Sequence, residues 1–325
     1  MVSIIIPHFN RSVLLRETIQ SVLNQTVDEW ELIIVDDGSS QSELDKVKAF
    51  KTLDKRIRVF ERQLKHKGPS ACRNEGAQRA NFPYLIFLDS DDLLKPFCVQ
   101  QRLLFMQVRP DTDMAVFLEE NFSQVPGDLG TFFNLKLPPE KLIGSFLQNK
   151  NPWQTMAAIW RKSCFIRIGG FNLELFYMED PELHVRALLD AETKIEICYH
   201  LPADCYYRAN YNDDTKKLFY YNSIYHRILF YDIIATELAS RNFLLKYQQD
   251  YKKGIYRFIR QFVYARIIDY PELFKRFLNM LSSHSIFNPF EVRKIKWLIE
   301  IGTSQSHVAR ILRLKGLCYH LFPAV

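Results

Sequence analysis

Residues 84–92 read YLIFLDSDD, an apolar run that ends in Asp89, Asp91 and Asp92. The run has no polar alternation, the pattern of a strand buried on both faces. Three carboxylates within four positions repel one another unless they are fully solvated or share a cation. In extended backbone alternate side chains point the same way, so Asp89 and Asp91 can face one centre while Asp92 lies at the bend. Such a donor set suits Mg2+ or Mn2+, hard ions that take oxygen ligands and accept a diphosphate as co-ligand. A solvated acidic turn, with Asp92 capping the following segment, accounts for the same residues without a metal.

Outward from this strand, Val2–Pro7, Glu31–Val35, Ile57–Phe60 and Asp113–Leu118 are further strand candidates. Between them the spacing of Leu15, Ile19, Val22 and Leu23 predicts a helix to about Gln25, and Ser42–Leu53, Ser70–Ala80 and about 96–108 are predicted helices. Ser70, after Gly68-Pro69, is the expected N-cap of its helix, and Pro96 sits in the expected first turn of the next. Repeated βα units predict an α/β fold with a mostly parallel, doubly wound sheet and ligands at the C-terminal strand edge. Asp36-Asp37 and the 89–92 cluster both fall at that edge. Residues 120–150 read as loop and a short helix. Thr155–Trp160 and Lys194–Tyr199 follow as strands, separated by Gly169-Gly170-Phe171 and a helix starting near Pro181. From about Thr215 the pattern is helical, with Pro271 and Pro289 as helix starts. The expected division is a domain over 1–214, with halves at about 1–118 and 119–214, and a helical region over 215–325.

A charged fraction of 25% with 47% hydrophobic residues excludes a disordered or fibrous chain. The net charge of +6 is unevenly placed: 215–325 holds 18 Lys+Arg and 7 Asp+Glu, net +11, which leaves −5 for the first 214 residues. Such asymmetry predicts an anionic partner, nucleic acid or a membrane surface. Basic and apolar residues interleave at Lys252–Arg260, Arg293–Trp297 and Arg310–Lys315. This suits helices lying on an anionic membrane near a lipid-linked acceptor, and equally amphipathic helices packed on the first domain or across a homo-oligomer. No nucleic-acid-binding motif accompanies the charge, so no nucleic-acid partner is expected. Six irregularly spaced cysteines without a CxxC pair suggest reduced, buried thiols of a cytosolic protein. The apolar start MVSIIIPHFN is too short for a signal peptide, and no run of 18 apolar residues occurs. A cytoplasmic location is expected, peripheral on the inner face of the cell membrane if the basic region binds lipid.

Other groups carry chemistry. Asp36-Asp37-Gly38-Ser39 can accept from a uracil N3–H or a ribose hydroxyl, or can form a plain DG turn. Arg73 lies early in a helix, where its charge opposes the helix dipole. Pairing with Asp89–Asp92 or with a ligand phosphate would explain it, as would an arginine turned back to solvent. Asp180, followed by Pro181, is either a helix N-cap or a general base that takes a proton from an acceptor hydroxyl.

In this order and spacing VSIIIPHFNR (2–11), SVLNQTVDEWELIIVDDGS (21–39), GPSACRNEGAQRA (68–80), YLIFLDSDD (84–92) and GGFNLELFYMEDPELHVR (169–186) resemble glycosyltransferase family 2, over roughly residues 1–210. The resemblance implies a GT-A fold and an inverting, metal-dependent transfer of a hexosyl or N-acetylhexosaminyl group. The donor would be a nucleotide-sugar, a UDP-sugar by preference. The acceptor would be a glycan or lipid-linked glycan, in cell-surface polysaccharide or glycan synthesis. It implies that Pro7, Phe9, Asn10, Arg11 and Asp37 line the nucleotide pocket with Asp36 close by. Gly68, Arg73 and Asn74 would flank the donor, and Asp89, Asp91 and Asp92 would hold the ribose and the Mn2+ or Mg2+. Asp180 would be the base, with Glu179 orienting it or the acceptor. Two departures stand out: Asn210 occupies a place where many relatives carry a metal-binding His, and His8 stands where small residues are common. A sugar-nucleotidyltransferase or a nicotinamide dehydrogenase would want a Gly-rich loop after the first strand, and Pro7–Arg11 holds no glycine. A binding protein with a decayed site would have lost acidic residues, yet Asp37, Asp91 and Asp180 are present.

Overall fold

The computed structural model describes residues 1–209, 216–303 and 319–323. Its chain divides into two compact units, 1–136 with 152–212 and 137–151 with 213–325.

In the first unit the predicted βα alternation is realised. The strands are β1 (Val2–His8), β2 (Trp30–Asp36), β3 (Ile57–Glu61), β4 (Tyr84–Phe87), β5 (Leu93–Leu94), β6 (Met114–Val116), β7 (Glu119–Phe122), β8 (Thr131–Phe132), β9 (Ala158–Arg161), β10 (Ile195–Ile197) and β11 (Cys205–Arg208). Helices α1 (Ser12–Leu23), α2 (Gln41–Ala49), α3 (Pro69–Arg79), α4 (Cys98–Val108), α6 (Lys162–Arg167) and α7 (Glu179–Leu189) accompany them. Seven strands form one sheet in the order β10-β6-β9-β4-β1-β2-β3, with β9 antiparallel to its neighbours. The continuous apolar runs are central for the expected reason: Ile4, Ile5, Ile6, Leu32, Ile33 and Ile34 are fully buried. A second sheet, β5-β11-β7-β8, takes β7 and β8 from the stretch near 120–150 that reads as loop in the sequence.

The site follows from the strand order. β2 and β3 extend from one side of β1 while β4 lies on the other, which makes the β1–β4 gap a topological switch point. β4 pairs with β1 only over Val2–Ile5, whereas β1 runs on beside β2 to His8. Past Ile5, β1 has a neighbour on one side only, so a crevice opens at its C-terminal end. Pro7 lies in that stretch, where the N–H it lacks has no β4 partner to miss.

Two helix starts differ from the sequence reading. The N-cap of α3 is Gly68, at φ +104, with Pro69 at the first position. Ser70 is already helical, and its hydroxyl donates to Leu175 O at 2.9 Å. α4 begins after Phe97, so Pro96 precedes the helix, and its carbonyl accepts from the Thr26 N–H at 2.8 Å.

The second unit is helical: α5 (Pro139–Leu147), α8 (Lys216–Ser240), α9 (Leu244–Phe258), α10 (Tyr264–Arg266), α11 (Pro271–Ser283) and α12 (Pro289–Thr303). A π-turn over Ile259–Val263 joins α9 to α10. Pro271 and Pro289 begin helices as the sequence suggests. Tyr231 and Tyr251 anchor the core, with Tyr231 Oη donating to Leu147 O (3.0 Å) and Tyr251 Oη to Tyr231 O (2.9 Å). The short α5, placed by sequence in the first domain, packs on α9. Among the described residues no helix is long and apolar enough to cross a membrane. Cys72, Cys98, Cys164, Cys198 and Cys205 are buried free thiols. Asn210, the Arg310–Lys315 segment and Cys318 lie outside the described residues.

Candidate active site

At the end of β1, His8 is buried and its Nδ1 bonds Asp36 Oδ2 at 2.8 Å. Its Nε2 accepts from the Arg11 N–H at 3.1 Å, which assigns the ring proton to Nδ1. Asp36 Oδ1 accepts from the Gly38 and Ser39 amides (3.0 and 2.8 Å), and Ser39 Oγ donates to Oδ2 at 2.6 Å. Burial pushes the Asp36 carboxyl up, but the donors from His8, Ser39 and Gly38 outweigh it and bring it down to about 2. Asp36 therefore builds the turn rather than facing a ligand. The same turn fixes Asn10, at φ +51: its amide donates to Ser39 Oγ and its side-chain carbonyl accepts from the Ser40 N–H, both at 2.9 Å. Phe9 projects from this turn, 53% exposed.

Asp37 next to it is engaged on both oxygens. Arg62 Nε donates to Oδ1 at 2.5 Å and the Gly68 N–H to Oδ2 at 2.9 Å. A side chain at Gly68 would meet the Phe176 ring 2.6 Å away, besides disfavouring its positive φ. Arg62 is a site residue the motifs did not single out. Its signal in the sequence is its place one residue past the end of β3, at the edge where Asp36 and Asp37 end β2.

The acidic loop has a positively charged or N–H partner for each carboxylate. Arg73 Nη2 reaches Asp89 Oδ1 at 2.5 Å, Arg11 Nη1 reaches Asp91 Oδ2 at 3.3 Å, and the Arg208 N–H donates to Asp92 Oδ1 at 2.8 Å. Arg208 also donates from Nε to Asp91 O (2.8 Å) and pairs with Glu17 (2.6 Å), so it braces the loop from β11. Burial, then the charge of Asp89, raises the Asp91 carboxyl against the pull of Arg11. Burial, then Asp91 and Asp89, raises Asp92 well above the carboxylate range.

Burial is the larger cause of both shifts; the mutual repulsion of the carboxylates adds to it, and that part is what a divalent ion would relieve. Among the described residues no group of three or more His, Cys, Asp or Glu side chains is arranged to hold a metal. Asp92 is 3% exposed and turned to the Arg208 amide. Asp91 and Asp89 stay partly open, with side chains 19% and 40% exposed. One or two carboxylates completed by phosphate oxygens and water is how Mg2+ is commonly held, so the donor set fits an ion that arrives with a diphosphate.

Arg73 joins this loop to the second acidic motif. It is 3% exposed, and its Nη1 donates to Glu179 Oε1 at 3.0 Å while Nη2 holds Asp89. The expected pairing with the acidic loop is present, and the solvent-facing alternative is not. Helix α7 starts at Glu179: its N-cap is Met178, at φ +68, and no side-chain cap hydrogen bond is made. Asp180 is thus inside the first turn and is not a cap. Burial and then the Glu179 charge raise Asp180 well above the carboxylate range, against Arg73. Burial raises Glu179 too, against the Arg73 charge. Among the described residues Asp180 enters no ion pair. The Asn74 side chain accepts from the Phe171 N–H (2.9 Å) and donates to Phe171 O (2.8 Å), latching α3 to the loop that leads into α7.

A doubly wound sheet with an acidic loop and a second carboxylate pair at its switch-point crevice defines a GT-A protein. The family model described as glycosyl transferase family 2 matches residues 3–173, more than half of the chain, and the chain belongs to that family. It is similar to an uncharacterized glycosyltransferase of Rickettsia bellii, 41% identical over 106 residues that cover 33% of this chain and 15% of that protein. It is also similar to the poly(ribitol-phosphate) beta-glucosyltransferase of Bacillus spizizenii, 38% identical over 95 residues, 29% of this chain and 15% of that one. The chain therefore spans a small part of the length of either relative. The structure of S. aureus TarS 1–349 in complex with UDP-GlcNAc matches with a TM-score of 0.63 at 18% identity, over 98% of this chain and 89% of that one, a likeness of fold.

Proposed function

We propose that this protein is an inverting glycosyltransferase that moves a sugar from a nucleotide-sugar, a UDP-sugar by preference, to a hydroxyl of a glycan or lipid-linked glycan acceptor in polysaccharide synthesis. The observation that carries the reading is Arg73. One buried guanidinium holds Asp89 on one side and Glu179 on the other, which supports reading the acidic loop and the Glu179-Asp180 pair as one site. The similarity to a poly(ribitol-phosphate) beta-glucosyltransferase and the UDP-GlcNAc complex of a fold neighbour support the donor class.

In this reading Asp180 takes the acceptor proton as its oxygen attacks the anomeric carbon from the face opposite the leaving diphosphate. The charge of Glu179, which Arg73 holds in place, raises Asp180 and makes it a stronger base. Asp91 and Asp89 would hold Mn2+ or Mg2+ together with diphosphate oxygens, and the ion would neutralise charge on the leaving group. The turn Phe9–Arg11, with Pro7 behind it, and Asp37 beside Gly68 would receive the nucleoside. Holding donor and acceptor together supplies much of the remaining rate. The basic unit 213–325 would keep the protein at an anionic lipid surface where a lipid-linked acceptor resides.

A panel of nucleotide-sugars with Mn2+ or Mg2+, scored by transfer and by thermal shift, tests the assignment. Asp180→Asn and Asp91→Asn should both lose transfer, and only Asp91→Asn should lose metal-dependent donor binding. Full transfer by Asp180→Asn would remove the base assignment, and donor binding by neither protein nor variant would remove the function.

A further inference from the structure

We infer that the solvent face of α12 docks on an anionic lipid bilayer, with Phe290 and Trp297 entering the headgroup region. The inference rests on the lipid-surface placement proposed above and not on the donor chemistry. α12 is a well-specified helix: Asn288 Oδ1 accepts from the Glu291 N–H at 2.9 Å and Glu291 Oε2 from the Asn288 N–H at 2.8 Å, a reciprocal capping box ahead of the helix. Ile295, Leu298, Ile299 and Gly302 face inward and are buried. The opposite face carries Phe290 at 71% exposure, Trp297 at 56%, and exposed Arg293, Lys294 and Lys296. At 3.6 residues per turn Phe290, Arg293, Lys294 and Trp297 share one side of the helix.

Trp297 is the anomaly that gives this face its meaning. The other three tryptophans, Trp30, Trp153 and Trp160, are each at most 2% exposed. An exposed tryptophan two turns from an exposed phenylalanine, with cations between them, is the composition of a helix lying in a membrane interface. The charge is complementary to such a surface. Among the described residues Arg293 and Lys294 pair with no carboxylate, and Lys296 meets Glu300 only at 3.8 Å with both half-exposed. Three cations against one acid leave that face net positive, within a region of net charge +11. No nucleic-acid-binding motif accompanies this charge, and aromatic rings flanking cations match the headgroup region, where tryptophan is enriched.

The test uses the full chain with vesicles of phosphatidylcholine, with and without phosphatidylglycerol, at physiological salt. The protein should cosediment with the phosphatidylglycerol vesicles only, with a blue shift of tryptophan emission that brominated lipid quenches. Trp297→Phe should abolish the shift while keeping most of the binding. Phe290→Ser with Trp297→Ser, or Arg293→Glu with Lys294→Glu, should lower the bound fraction by about tenfold or more, with circular dichroism and transferase activity on a soluble acceptor unchanged. Equal binding to pure phosphatidylcholine, binding without a Trp297 shift, or no binding would overturn the inference. A shift that follows protein concentration without lipid would assign the face to a second copy and overturn it as well. Because the readout is lipid binding, its failure leaves the donor chemistry standing.

Discussion

Asp180 differs from the carboxylates around it in having no cation of its own among the described residues, while Glu179, Asp89 and Asp91 each face an arginine. Burial and the neighbouring Glu179 charge hold its proton to higher pH than an ordinary carboxyl. A general base is worth roughly 10^2 to 10^4 in rate, so with Asp180 in its proposed role Asp180→Asn should lower kcat by about a thousandfold with the donor KM nearly unchanged. The sign of the pH effect follows. The base works deprotonated, so kcat should rise with pH through the raised pKa and level off above it, with an acidic limb above the usual carboxylate range of about 4. Glu179→Gln removes the charge that raises Asp180 and should move that limb to lower pH. A wild-type limb at the ordinary carboxylate position, or one indifferent to Glu179→Gln, would count against the base. The sequence alone left cap and base open because Asp-Pro is the usual cap pattern. A left-handed Met178 starts the helix two residues earlier, and nothing in its residue type announces that. Arg62 and Arg208 were illegible for another reason: their partners lie 25 and 191 residues away.

The central sheet was legible in the sequence because its strands are apolar on both faces, so VSIIIPH and WELIIVD can be little else. The second sheet was not. β7 is EENF, two acids and an amide in four residues, and reads as loop until its neighbours are known. Glu119 in that strand is fully buried, with Oε1 accepting from the Gln154 N–H at 2.9 Å and Oε2 without a hydrogen-bond partner. Burial pushes its carboxyl from the ordinary 4.5 up to about 8. The folded state therefore holds this proton more tightly than the unfolded chain. The stability it contributes is fully present below pH 4.5, declines as pH rises, and is gone above about 8. At most about 1.4 kcal/mol is lost per pH unit across that window. Glu119→Gln keeps the volume and the acceptor and removes the titration. Urea midpoints taken from pH 5 to 8 should show the variant gaining on the wild type by a few kcal/mol in total, and a constant difference would sink the assignment. A second element-level test concerns the latch between α3 and the loop before α7. Asn74→Ala leaves the Phe171 N–H and C=O without their partners, which should cost about 1–3 kcal/mol by thermal unfolding. It should lower kcat more than donor affinity, since it loosens the approach to Asp180 rather than the turn proposed to receive the nucleoside.

At the scale of the whole molecule, charge and helical pattern place a boundary near 214, whereas the second unit combines 213–325 with the earlier segment 137–151. The sequence could not show that this unit also takes 137–151. Allegiance of a short helix depends on which distant surface covers its apolar face, and here that surface is on α9. A side chain at Gly254 would collide with Leu147 O, so the two helices approach as closely as glycine permits. Leu142, Ile143, Phe146 and Leu147 of α5 are at most 7% exposed, and each such side chain stabilises its packed state by roughly 1.5–3 kcal/mol. A chain cut after residue 214 keeps α5 but loses α9, so those four side chains return to water. The first unit offers a clean alternative, because the Leu135 N–H donates to Pro152 O at 3.0 Å and brings the two ends of the segment together. A protein running 1–136, a short Gly-Ser linker, then 152–212 should be soluble, unfold in one cooperative transition and still bind the donor. The 1–214 protein should aggregate, or melt well below it by scanning calorimetry. If 1–214 proves equally soluble with the same Tm, α5 is not held by the second unit, and the division of the chain reverts to a simple boundary at 214.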